Sequence, residues 1–220
     1  MTELLFFIHI ILIAILAVIA LRISNFALVA LITILGFLAN FFALKQIMLF
    51  SWHASASDVV ALGIPLSFNM LQEKYGQKEA QKALYAGFFG VIVAVILSTL
   101  HCLYPSASCQ TIQWHYEALL SPMPRIVIAS LFTFYVVQYI DITIFAYLRT
   151  REYLPFIIRN YLTLLLGQAL DTVLFTFLAL YGVVPHIAEL MLVSYLIKII
   201  AIHCITPFLM LASYVESKLF

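Results

Sequence analysis

Gln138, Asp141 and Phe145 fall at i, i+3 and i+7 in "VQYIDITIF", and Gln168, Asp171 and Phe175 repeat that spacing in "GQALDTVLF". Both stretches are otherwise apolar. At helical periodicity each set shares one face. A carboxylate accepts paired N–H donors, an amide meets a carbonyl or ring nitrogen, and an aromatic ring packs on a flat partner. Such a set suits a planar polar heterocycle. The same groups can also tie helices together, and this structural reading stands beside the ligand-binding one.

Depth along each helix suggests partners. An ionisable group at the centre of a bilayer costs at least about 2.5 kcal/mol, so it faces the bundle interior and is paired. Counting 1.5 Å per residue in antiparallel helices puts Gln138 and Gln168 at similar depths, roughly 15 Å from one membrane face. Asp141 then falls towards Arg159, and Asp171 level with Lys198. Two ion pairs are expected, Asp141 with Arg159 and Asp171 with Lys198. Asn40 is expected at the level of the two motifs, and Lys45 is expected to snorkel from a helix end.

These residues need membrane-crossing helices to position them. The chain has 220 residues, 65% hydrophobic and 10% charged, with mean hydropathy +1.11. That composition marks an all-α integral membrane protein. Apolar runs of spanning length cover about 4–21, 26–50, 58–73, 83–104, 125–148, 157–182 and 188–214. The third holds Gly63, Pro65 and Asn69 and reads as an interrupted segment, tolerable only inside protein. Arg22, Lys74, Lys78, Lys82, Arg149, Arg151 and Lys218 fall in alternate connections, which predicts an outside amino terminus and a cytoplasmic carboxyl terminus. The first segment carries Glu3 and lacks a basic lead and a small-residue cleavage site, so it reads as a retained helix. The connection Pro105 to Pro124 is long enough to be a lid, although Trp114 and Tyr116 suit an interfacial position better.

Several function classes are excluded by what is missing. HExxH, GxSxG and P-loop motifs do not occur, and ATP could act only through a separate module. A net charge of +1 without Arg-rich tracts argues against nucleic acid. His101, Cys102, Cys109 and His115 match no zinc spacing, and they read as loop residues or as a Cys102 to Cys109 disulfide. No enzyme activity, metal or cofactor is expected.

"GIPLSFNMLQEKYGQKEAQKALYAG" (63 to 87), "IIRN" followed by "GQALDTVLF", and "YLIKIIAIHCITPFL" (195 to 209) together resemble the queuosine precursor transporter family, also called the vitamin uptake transporter type. The likeness runs from about Asn40 to Pro207. Pro65, Phe68, Asn69, Glu73, Tyr75 and Gly76 occupy the places of the family's short third segment, with Asn69 where an aspartate is usual. Gln138, Asp141, Arg159, Asn160, Gln168, Asp171, Lys198 and Pro207 match residues that the family carries. The resemblance implies six core helices like those of the substrate-binding components of energy-coupling-factor transporters, with residues 1–25 an added helix and 26–220 the transporter domain. It implies import of a 7-deazaguanine (queuine, preQ1 or preQ0) across the cell (inner) membrane for tRNA modification. Asp171 and Gln168 would read the base, Asp141 and Gln138 would form a second reader or gate, and Asn69 or Glu73 would lie nearer the cytoplasmic exit. The alternative is a substrate-binding subunit that serves a separate energy-coupling ATPase for a vitamin-like substrate.

Overall fold

The computed structural model describes residues 1–42, 45–50, 52–104, 124–151, 153–181 and 187–216. Seven helices run in chain order: α1 (Thr2–Ile23), α2 (Asn25–Phe42), α3 (Asp58–Tyr75), α4 (Gln77–Cys102), α5 (Pro124–Arg149), α6 (Phe156–Leu180) and α7 (Ile187–Glu216). Between α2 and α3 lies a hairpin of β1 (Gln46–Leu49) and β2 (Trp52–Ser55), antiparallel with Leu49 opposite Trp52.

Local sequence sets the joints between helices. Ser24 leaves helical geometry, and its hydroxyl accepts the Ala27 N–H at 3.1 Å, an N-cap that separates α1 from α2. Gly76 at φ 90° turns the chain between α3 and α4, in a region where a side chain would be strained. The α6 helix follows Pro155, which stands at its N-cap.

Six helices form a closed ring in the order α1, α2, α4, α5, α6, α7, each packed on the next, and α3 runs up the centre in contact with all six. This arrangement explains the differing compositions. The ring helices are long and apolar enough to cross a membrane, and they turn residues such as Leu12, Ile19, Phe89 and Phe177 outward as lipid would require. The central helix is enclosed, buried from Asp58 to Gln72 except at a half-buried Ala61, and carries polar residues that meet those on the inner faces of the ring helices. The protein is therefore an all-α, multi-pass membrane protein whose polar groups converge on one central element.

Three expectations are corrected. Residues 26–50 are not one span, because α2 stops at Phe42 and the apolar stretch beyond it forms the hairpin, with Phe50 at φ 50° in its two-residue turn. Lys45 accordingly lies at the base of the hairpin, bonded through its backbone to Phe42 and Ala56, and does not snorkel from a helix end. The third segment is a continuous 18-residue helix with Pro65 inside it, not an interrupted one. Enclosure by the ring tolerates the proline there. Close approach is specific at Gly63, where a Cβ would sit 2.5 Å from Ile13 Cγ2 of α1.

Contacts between helix ends fix the directions. Lys74 donates to the Leu21 carbonyl at 3.1 Å and Arg149 to the Gln72 carbonyl at 2.8 Å, so α1, α3 and α5 end on the same face of the bundle. At the other face the Phe50 N–H meets Glu3 at the start of α1, and β2 packs on α7. The 105–123 loop, with Trp114, Tyr116 and the proposed Cys102 to Cys109 pairing, lies outside the described residues.

Candidate functional site

The last turns of α3 gather one polar cluster. Asn69 donates to Asn160 Oδ1 at 2.9 Å and to Thr163 Oγ1 at 2.8 Å, both on α6. Thr163 in turn donates to the backbone carbonyls of Arg159 and Asn160, so its oxygen is an acceptor towards Asn69. Gln72 donates to the Ile142 carbonyl of α5 at 2.9 Å. Glu73 binds Arg159 at 2.7 Å and lies 3.7 Å from Arg149, which also donates to the Glu73 carbonyl. One carboxylate thus draws α3, α5 and α6 together at one end of the bundle.

The expected Asp141–Arg159 pair is not formed. Arg159 lies in the first turn of α6, level with Glu73, and its guanidinium stacks 5.7 Å from the Phe145 ring. Asp141 sits opposite Gly167, where a Cβ would come 3.2 Å from its Oδ1. Gly167 is eight residues beyond Arg159, a rise of about 12 Å. Glu73 was the partner, supplied by a helix that sequence reasoning took as broken.

A second cluster surrounds Lys198 on α7. Its ammonium donates to Asp171 Oδ2 at 2.6 Å and Thr172 Oγ1 at 3.2 Å, the pair expected from sequence. Asp58, the first residue of α3, interacts electrostatically with both Lys198 and Asp171. The two clusters share one register. Asp58 to Asn69 is eleven residues along α3, and Asp171 back to Asn160 is eleven along the antiparallel α6. The α3–α6 seam therefore carries polar groups at both ends, roughly 16 Å apart.

Between them lie Gln138, Asp141 and Gln168. Opposition of Asp141 and Gly167 sets the α5–α6 register and leaves the two glutamines about 3 Å apart in depth, nearly level as expected. All three are buried, and Gln138 Oε1, Gln168 Oε1 and both Asp141 oxygens have no hydrogen-bond partner within the protein. The Asn69 and Gln72 oxygens are likewise unpartnered. Their amide nitrogens are already committed to acceptors, so these oxygens can only accept. Acceptors thus outnumber the unpartnered donors, Asn160 Nδ2 and Arg159 Nε, and the seam suits a ligand with several N–H donors.

Asn40 stands apart. It donates to the Gly36 carbonyl within α2 and accepts from Ser130 of α5, which makes it a link between ring helices. Asp58, Gln72, Arg149, Thr163 and Thr172 belong to the seam and were not singled out as site residues from sequence. For Asp58 a signal existed, a carboxylate opening a segment that must be wholly enclosed. Among the described residues, no group of His, Cys, Asp and Glu could hold a metal ion.

Comparison with known proteins gives the family. Residues 55–212, well over half of the chain, match the family described as "Putative vitamin uptake transporter". The match begins at the end of the hairpin and takes in α3, the whole polar seam and most of α7. A relative from Bacillus subtilis (strain 168), "Probable queuosine precursor transporter", is 29% identical over 166 residues, covering 73% of this chain and 72% of that protein. No solved structure matches the chain. With its enclosed central helix and polar seam inside the matched segment, the chain belongs to the vitamin uptake transporter family.

Proposed function

We propose that the chain imports a queuosine precursor, a 7-deazaguanine base such as queuine, preQ1 or preQ0, across the cell (inner) membrane. The observation that carries this reading is the row of buried acceptors along the α3–α6 seam. A guanine-like edge presents adjacent N–H donors and one carbonyl, the complement of carboxylates and amides set close together. Gln168 and Asp171 read the base edge. Gln138 and Asp141 form a second reading position across the α5–α6 contact. Asn69, Asn160, Glu73 and Arg159 lie on the route to the cytoplasm, and Lys198 holds Asp171 in place. Asn40 serves packing. The related protein from B. subtilis bears the name of the same substrate class, which supports the assignment.

The amino terminus is outside and the carboxyl terminus cytoplasmic in this reading. Lys74, Arg149 and Arg151 then lie at the inner face together with the Glu73 cluster, as positive charge at cytoplasmic ends requires. Residues 1–25 form a helix added to the transporter domain of residues 26–220. The test is rescue of queuosine in the tRNA of cells that cannot synthesise it, fed queuine, preQ1 or preQ0 separately. The chain restores the modification from at least one of them. Equal modification with and without the chain, for all three, overturns the assignment.

A further inference from the structure

Asp58 has a place in the bundle that packing alone does not account for. It is 7% accessible, its carboxylate accepts a hydrogen bond from the Ser55 backbone while its Oδ2 has no hydrogen-bond partner, and it interacts electrostatically with the Asp171–Lys198 pair on helices that pack against α3. Lys198 is committed to Asp171 at 2.6 Å and to Thr172 at 3.2 Å. Two carboxylates and one ammonium leave this end of the seam one negative charge in excess. That charge sits directly beneath the hairpin, at the face opposite the Glu73 cluster. There the balance reverses, with Arg149 and Arg159 flanking a single carboxylate. A buried carboxylate oxygen without a donor is costly, so the excess negative charge at Asp58 Oδ2 is best matched by a cation brought in by the ligand.

We propose that Asp58 is a specificity-determining residue that receives a positively charged substituent of the substrate, so that ammonium-bearing 7-deazaguanines are preferred over uncharged ones. This rests on the transport reading above and sharpens it. The two simplest members of the substrate class form a matched pair. The 7-aminomethyl base carries an aliphatic amine, protonated at neutral pH as lysine is, and the 7-cyano base is neutral. Asp171 and Gln168 remain available to the shared base edge, while Asp58 distinguishes the substituents. The amine reaches a carboxylate oxygen that no protein donor occupies.

The experiment compares initial uptake of the labelled 7-aminomethyl and 7-cyano bases in cells unable to make either, with membrane abundance measured in parallel. Wild-type chain is expected to take up the aminomethyl base at least about tenfold more efficiently, the ratio one charge-assisted hydrogen bond supplies. Asp58→Asn is expected to remove most of that preference by slowing the aminomethyl base alone, and Asp58→Glu to keep it. Equal efficiencies in the wild type overturn the proposal whether or not any variant folds. So does an Asp58→Asn protein, present at normal abundance, that slows both bases to the same extent. Uptake of neither base by the wild type also overturns the proposal, and contradicts the transport reading only if queuine, supplied in parallel, is not taken up either.

Discussion

Replacing Asp171 with Asn strands the ammonium of Lys198, only 5% accessible, in the interior of the bundle. Breaking a buried ion pair by removing one partner costs about 3 to 5 kcal/mol. Two features put this case at the low end, about 3 kcal/mol: the Asp171 side chain is 28% accessible, and Asp58 remains to interact with Lys198. Thr172 also keeps its contact with the ammonium. Removing both charges, in an Asp171→Asn, Lys198→Met protein, eliminates the stranded ion and should recover all but about 1 kcal/mol. The double variant should then be about 2 kcal/mol more stable than Asp171→Asn, and Lys198→Met alone completes the cycle. Unfolding in mixed micelles, followed by the loss of helical signal as denaturing detergent increases, measures each corner. Uptake should be lost in both variants that lack Asp171, because stability returns in the double variant and the carboxylate proposed to read the base does not. A double variant as unstable as Asp171→Asn would refute the ion-pair reasoning. One that transports normally would refute the role of Asp171.

Other predictions address the remaining contacts. Gly63→Ala should destabilise the bundle by about 1 to 3 kcal/mol through collision with Ile13 of α1, while Gly87→Ala, whose nearest contact is 3.4 Å, should stay within about 1 kcal/mol by the same unfolding assay. Gly167→Leu forces a side chain against Asp141 and should reduce uptake of labelled base far more than membrane abundance. Asn69→Leu leaves Asn160 and Thr163 without their shared donor and should cost about 2 kcal/mol or more of stability. For orientation, a fluorescent protein fused after Phe220 should be bright in the cytoplasm, and a periplasm-dependent phosphatase inserted in the 105–123 loop should be active.

The Asp171–Lys198 pair was legible because both residues lie well inside neighbouring antiparallel helices, where residue count converts directly into depth. Near-equal depth of Gln138 and Gln168 followed from the same arithmetic. Arg159 was misassigned because its partner comes from α3, 86 positions away in sequence, and depth counting on α5 and α6 says nothing of a helix between them. The central place of α3 was hidden by its composition. Gly63, Pro65, Ser67 and Asn69 look like an interruption if a span is assumed to face lipid, and like an interior helix only once six others enclose it. The hairpin was missed for a related reason. "QIML" is apolar enough to extend α2, and nothing in hydropathy separates a short apolar strand from another helical turn.

Passage of a 7-deazaguanine through the acceptor-lined seam is the transport route proposed for this chain. Its most direct test is uptake of labelled queuine, preQ1 and preQ0 into liposomes holding the purified chain alone, compared with liposomes holding Gln168→Ala, Asp171→Asn protein. Saturable uptake of at least one base by the wild type, abolished in the variant at equal folded content, is the predicted result. Uptake that is identical in the two preparations, or no different from empty liposomes, would contradict it.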